Sequence, residues 1–268
     1  MSVHDAAARG YQVASESYER GRPDYPPDAV RHLVEALGIG PGAKVLDLGA
    51  GTGKLTKLLE PTGAQLFAVE PVEAMRARLE QKVPGTTVLE GTAEAIPLET
   101  GTMDAVAVAQ AFHWFDGPRA LAEIHRVLKP QGRLGLLWNA RDESADWVAQ
   151  LTRLINPHEG DAPRYRKGEW RAAFDRSTRF TPLRVRHFHH AHHGPPEMVV
   201  DRVASISFIA ALPAPSREDV LAEVRHLLAT HPGVRGLAEV SLPYRTDVFV
   251  CAATSPSSAG APGSPRHG

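Results

Sequence analysis

Three glycines at alternate positions, Gly49, Gly51 and Gly53, separate the apolar run Val45-Leu46 from a helical pattern that opens at Lys54. Glycine lets the backbone leave a strand sharply and approach a ligand with no Cβ in the way. Strand, turn and helix N-terminus together form a cradle of free N–H groups and positive dipole. A nucleotide-like guest follows from that local geometry. The flanking pattern requires a layered α/β fold: strands are expected at 44–48, 65–69, 87–89, 104–109 and 133–138, and helices at 27–37, 54–59, 72–82 and 119–128. Such alternation implies a doubly wound parallel sheet with helices on both faces. Beyond residue 139 the rhythm loosens into helical patterns at 144–155, 168–177, 196–209 and 216–230, with strands at 183–190 and 247–252. The reading is a single domain over 1–253, with an N-terminal helical cap (1–40), a cofactor-binding core (41–140) and a substrate-covering part (141–253). The Ser-, Pro- and Gly-rich stretch 254–268 reads as a disordered tail.

Composition narrows the function classes. A chain of 268 residues, 43% hydrophobic, can bury a full core, and its net charge of −1 provides no global field for nucleic acid or anionic membrane. Cys251 is the only cysteine, so a disulfide framework and a cysteine zinc site are both excluded. With neither a leader-like start nor a stretch of membrane-spanning length, the expected location is the cytoplasm.

Spacing separates the candidate cofactors. The dinucleotide fingerprint G-x-G-x-x-G would need a third glycine at position 54, which is Lys54, and the chain instead has G-x-G-x-G behind Asp47. Glu70 ends the second strand, where a carboxylate can accept from both ribose hydroxyls. That supports an adenosine cofactor without choosing between a nicotinamide dinucleotide and S-adenosylmethionine (SAM).

Asp47-Leu48-Gly49-Ala50-Gly51-Thr52-Gly53 resembles motif I of the class I SAM-dependent methyltransferases. Gly91-Thr92-Ala93-Glu94-Ala95-Ile96-Pro97 is similar to that family's segment after strand three, and Leu128-Lys129-Pro130-Gln131-Gly132 to its helix-to-strand turn. His113-Trp114-Phe115, with Tyr18, Gly21-Arg22-Pro23 and Tyr25, resembles the trans-aconitate-type, small-molecule branch. The resemblance implies a Rossmann-like, seven-stranded, mostly parallel sheet with its last strand antiparallel. It implies SAM contacts from Tyr18, Arg22, Asp47, Gly49, Ala50, Gly51, Gly53, Glu70, Pro71, Met75, Ala93, Glu94, Gln110 and Ala111. His113 and Trp114 would meet the acceptor, with His113 a candidate general base.

Several of these residues carry a second reading. Asp47 serves equally to hold the glycine loop through its amides, Glu70 to cap the helix that begins near Pro71, Arg22 to form a surface ion pair, and His113 to shape the pocket. The run His187-Phe188-His189-His190-Ala191-His192-His193 invites a metal, yet alternate residues of a strand face opposite ways, so no metal site is expected. Against the resemblance, Gln110-Ala111-Phe112-His113 lacks the Asn/Asp-Pro-Pro of amino-methylating DNA enzymes, the acidic metal ligand of catechol-type enzymes and the paired glutamates of arginine-methylating ones. A metal-independent transfer to a small-molecule carboxylate, hydroxyl, amine or carbon acceptor is the resulting expectation. A nicotinamide-dependent oxidoreductase and a non-catalytic SAM-binding protein are its alternatives.

Overall fold

The computed structural model describes residues 22–161 and 163–254; Tyr18 and most of the expected cap, and the tail from 255 onward, lie outside the described residues. Seven strands form one sheet: β1 (Lys44–Leu48), β2 (Gln65–Val69), β3 (Thr87–Leu89), β4 (Met103–Ala109), β5 (Leu128–Arg141), β6 (Arg184–Gly194) and β7 (Val240–Ala252). Their order is β3-β2-β1-β4-β5-β7-β6. The first five pair in parallel, and β7 runs antiparallel to both β5 and β6. The expected α/β class and antiparallel last strand are observed. β1 and β4 are buried almost throughout, as strands covered on both faces must be. The chain reverses its direction of travel across the sheet between them. The crevice at their carboxyl ends is therefore where a doubly wound sheet binds its ligand.

Helices α1 (Pro27–Leu37), α2 (Lys54–Leu59), α3 (Glu73–Lys82) and α4 (Gly117–Val127) belong to the sheet layers. α1 was expected in the cap, but it packs on the sheet. A Cβ at Gly135 of β5 would lie 2.5 Å from Leu33 and 3.0 Å from Leu37, so the missing side chain is what seats the helix. Its apolar stripe of Ala29, Val30, Leu33 and Leu37 is buried there.

The helices after β5 build a second core. α5 (Asp146–Ile155), α7 (Pro196–Ala204), α8 (Ser207–Ala210) and α9 (Ala214–Thr230) bury Trp147, Leu151, Val199, Ile209 and Val224 together, while the short α6 (Arg171–Asp175) joins the sheet core through Phe174. Two expected boundaries move for this reason. β7 starts at Val240 instead of 247 because Val240, Leu242 and Tyr244 alternate inward onto the helical core, a pattern that Pro243 and Arg245 disguise. The helical segment expected at 196–209 breaks at Ser205-Ile206, where Ile206 turns extended and buried. No helix among the described residues is long and apolar enough to cross a membrane.

Candidate active site

β1 delivers its chain to the crevice through three left-handed glycines, Gly49 (φ 71°), Gly51 (58°) and Gly53 (79°). Their surroundings give them different tasks. A Cβ on Gly49 would stand 2.9 Å from the Ala111 Cβ, so this glycine lets the loops after β1 and β4 touch. A Cβ on Gly53 would stand 3.0 Å from Leu79, which makes it the seat of α2 on α3. At Gly51 the nearest such atom is the Met75 sulfur at 3.8 Å, an ordinary contact distance, and this glycine lines the cavity described below. Gly53→Ala is therefore expected to lower stability by about 2 kcal/mol in denaturant unfolding, from the left-handed backbone and the crowded Leu79. Cofactor affinity should be nearly unchanged; the reverse outcome, stability intact and binding lost, would show that Gly53 serves the ligand instead.

Asp47 is buried and accepts a 2.6 Å hydrogen bond from the Thr56 hydroxyl of α2. Burial is the main cause that pushes its carboxyl up to about 6. It lines neither cavity described below, and no glycine-loop amide donates to it; its hydrogen-bond partner is Thr56 of the following helix, which ties β1 to α2. Glu70 does face the crevice. One carboxylate oxygen accepts from the Gly51 amide at 2.9 Å and the other from the Val72 amide at 3.0 Å. Burial raises its pKa, opposed by those two amide hydrogen bonds. Arg76 fixes the turn by donating to the carbonyls of Glu70 at 2.9 Å and Pro71 at 2.7 Å.

A first cavity of about 1010 Å³, open at its mouth, lies over the glycine loop. Gly49, Ala50 and Gly51 form its floor, Glu70, Pro71 and Met75 one side, and Gln110, Ala111, Trp114 and Arg22 another. Three expected contacts besides Asp47 do not line it. Gly53 is turned onto α3, Ala93 is buried in the sheet core, and the Glu94 carboxylate accepts from the Asp116 amide at 2.8 Å, bracing the start of α4. Arg22, Pro23 and Tyr25 line the cavity as well, on a strap formed by residues 22–25. Lys54 donates to the Arg22 carbonyl at 2.5 Å and to Asp24 at 3.0 Å, Asn139 donates to the Asp24 carbonyl at 3.2 Å, and Arg22 donates to the Ser205 carbonyl at 3.0 Å. Lys54, which the glycine spacing singled out only as a non-glycine, thus has a clasping role that no local pattern announced.

A second cavity of about 800 Å³ adjoins the first, and Arg22, Gln110, Trp114, Asn139 and Arg202 stand in the wall they share. Gln110 directly follows β4 with φ 58°, a left-handed conformation that a side chain adopts only under constraint, and it stands where the two chambers meet. His113 lines the second cavity from the turn Phe112–Trp114. The indole N–H of Trp138 donates to His113 Nδ1 at 3.2 Å. An indole nitrogen can only donate, so Nδ1 is the acceptor and the ring proton sits on Nε2. Burial first, then the charges of Arg164 and Arg22, push this imidazole down to about 3. Trp138 is itself fixed, fully buried with its ring 4.6 Å from Tyr165 and 4.5 Å from Trp170. The Tyr165 hydroxyl donates to Asp247, a buried carboxylate that also meets His187 and Arg245.

The remaining histidines of β6 disperse. His187 turns to Asp247, His189 lies 3.5 Å from Asp142, and His190 stacks on Tyr244. Among the described residues no three His, Cys, Asp or Glu side chains gather as a metal-ligand set. Cys251 is buried, and burial pushes its thiol up to about 12.

The sequence profile of the methyltransferase-domain family matches residues 46–136, the span from β1 to β5 that carries the glycine loop and Glu70. An uncharacterized methyltransferase of Mycobacterium tuberculosis is 44% identical over 233 residues, covering 86% of this chain and 90% of the relative. A methyltransferase-like protein of Schizosaccharomyces pombe is 35% identical over 233 residues, 87% of this chain and 91% of the relative. Among solved structures, a protein of Anaeromyxobacter dehalogenans assigned as a type II methyltransferase superposes with a TM-score of 0.67 at 25% identity, over 87% of this chain and 97% of that one. The nicotinamide reading that the glycine turn alone left open falls away with these relatives. Fold, glycine loop and near full-length similarity agree, and the chain is an enzyme that belongs to the methyltransferase family.

Proposed function

We propose that the first cavity takes SAM and the second a small-molecule methyl acceptor, transferred to without a metal. The observation that carries this reading is the pairing of Gly51 with Glu70: a left-handed glycine lining the first cavity beside a buried carboxylate, at the switch point of the sheet, with a second chamber adjoining. Glu70 would receive the ribose hydroxyls, Pro71 and Met75 would flank the adenosine, and Arg22 would meet the carboxylate of the methionine portion. SAM supplies a methyl group already activated by its sulfonium, so the acceptor's electron pair forms the new bond to carbon while the pair of the carbon–sulfur bond returns to sulfur. The protein's share is alignment and exclusion of water. The strap 22–25, clasped by Lys54 and Asn139, supports the exclusion, and Gln110 and Trp114 stand at the boundary where donor and acceptor would meet.

His113 takes a different role in this reading from the base that its position suggested. With Nδ1 engaged by Trp138, its free nitrogen carries a proton and offers a hydrogen bond to the acceptor. The resemblance of His113-Trp114-Phe115 to the trans-aconitate-type branch supports a small acceptor. Titration calorimetry should detect S-adenosylhomocysteine and not NADH, and methyl-labelled SAM should transfer label to a compound in a metabolite extract. No heat with S-adenosylhomocysteine would overturn the cofactor assignment. Heat without labelled product from any extract would leave the non-catalytic binding protein.

A further inference from the structure

We propose that Arg141 and Arg164 form an anion subsite in the second cavity, so that the methyl acceptor carries a carboxylate or phosphate group apart from whatever atom receives the methyl. The proposal rests on the reading of that cavity as the acceptor chamber.

Five arginines, Arg22, Arg141, Arg164, Arg166 and Arg202, line the cavity against one acid, Glu143, whose side chain is exposed. The buried carboxylate of Glu159 stands behind this wall and is shared three ways. It lies 2.7 Å from Arg166, 3.3 Å from Lys167 and 3.8 Å from Arg164. Arg166 therefore has its counter-charge, whereas Arg164 receives the longest of the three contacts and rests its guanidinium 4.9 Å over the Phe208 ring. Arg202 donates to the Tyr244 hydroxyl at 3.2 Å and to Ser205 at 3.3 Å. Arg141, at the end of β5, has its Nε sealed from solvent with no acceptor among the described residues.

A buried cation without a carboxylate partner is costly, and several facing one another repel as well. Burial is the largest cause that lowers both Arg141 and Arg164, each to about 10, with the charge of Arg202 adding to both shifts. Both remain protonated at neutral pH, so the cavity keeps its positive charge. Guanidinium groups match carboxylate and phosphate oxygens in pairs of parallel hydrogen bonds, which an oxygen anion here would supply to two desolvated forks. The Nε2–H of His113 adds a neutral donor to the same chamber. Neither Arg141 nor Arg164 lines the first cavity, so the anion they would hold is not the cofactor's own carboxylate.

The test is thermal melting with citrate and, separately, inorganic phosphate against sodium chloride of equal ionic strength, with and without saturating S-adenosylhomocysteine. The wild type should gain stability from at least one of the two anions, and which one responds tells carboxylate from phosphate. Arg141→Met should weaken that anion's affinity on the order of tenfold to a hundredfold, the span for a hydrogen bond to a charged group. S-adenosylhomocysteine affinity should stay at the wild-type value, which also shows that the variant folds; if it does not fold, Arg164→Met takes its place. A wild type that responds to neither anion beyond the chloride control, or an Arg141→Met protein that responds as the wild type does, overturns the subsite. Loss of the cofactor reading would be seen separately, as absent S-adenosylhomocysteine binding, because the anion arm without it is read independently.

Discussion

Glu70→Ala is expected to weaken S-adenosylhomocysteine binding about a hundredfold in titration calorimetry, the largest effect of any single change on the cofactor side. Each Glu70 oxygen already accepts one backbone amide, from Gly51 and from Val72, and each retains a second lone pair for a hydroxyl in the cavity. Charge-assisted hydrogen bonds of that kind are worth about 1.5–3 kcal/mol, and about 2.7 kcal/mol corresponds to a hundredfold change in the dissociation constant. Glu70→Gln should be nearly as damaging, since its amide nitrogen would face either the Gly51 or the Val72 N–H, donor against donor. The pH dependence has a definite sign. Burial raises the Glu70 pKa, so affinity should fall on acidification earlier than an exposed glutamate would dictate. A dissociation constant for Glu70→Ala within threefold of the wild type would sink the ribose assignment.

Local signals located the first cavity well, and the second hardly at all. A glycine turn, an acid at a strand end and a strand followed by a loop are short-range patterns, and they brought Gly49, Gly51, Glu70 and Gln110 to one crevice. Within that same motif the sequence could not divide the labour. Asp47 and Gly53 share the spacing with Gly51, yet Asp47 turns to Thr56 and Gly53 to Leu79, because a strand alternates its faces and a turn rotates its Cβ vectors. Glu94 missed the cavity for a comparable reason, being drawn to the unpaired Asp116 amide at the head of α4. Arg141, Arg164 and Arg202 come from the end of β5, a loop and α7, with no fixed spacing to connect them. Only the closure of the helical layer over the sheet makes them neighbours, and each alone reads as an ordinary surface arginine. The same layer hid the start of β7, whose inward residues match a core that the sheet does not contain.

His113→Ala, measured with the acceptor that labelled transfer identifies, is expected to lower kcat/KM about a hundredfold, the upper range for losing one hydrogen bond to a charged partner. The wild-type profile decides what that loss means. A general base with an ordinary histidine pKa would give a rising limb through about pH 6 to 7, as the imidazole sheds its proton. His113, held down to about 3, is neutral across that whole window, so the profile should be flat there apart from ionisation of the acceptor itself. Trp138→Phe keeps an aromatic ring against Tyr165 and Trp170 but removes the N–H on Nδ1. The imidazole can then exchange tautomers, and part of the population turns a lone pair where the proton was. kcat/KM should drop several-fold for that reason, alongside a stability loss of about 1 kcal/mol for the missing hydrogen bond. Stability carries its own sign: an unfolded histidine gains a proton below about 6.5 that the folded one refuses until about 3, so acidification through that window removes a contribution that is complete above it. A rising limb near pH 6.5 that disappears in His113→Ala would restore the base. A flat wild-type profile with the variant a hundredfold slower fixes His113 as a donor whose tautomer is set by the indole behind it.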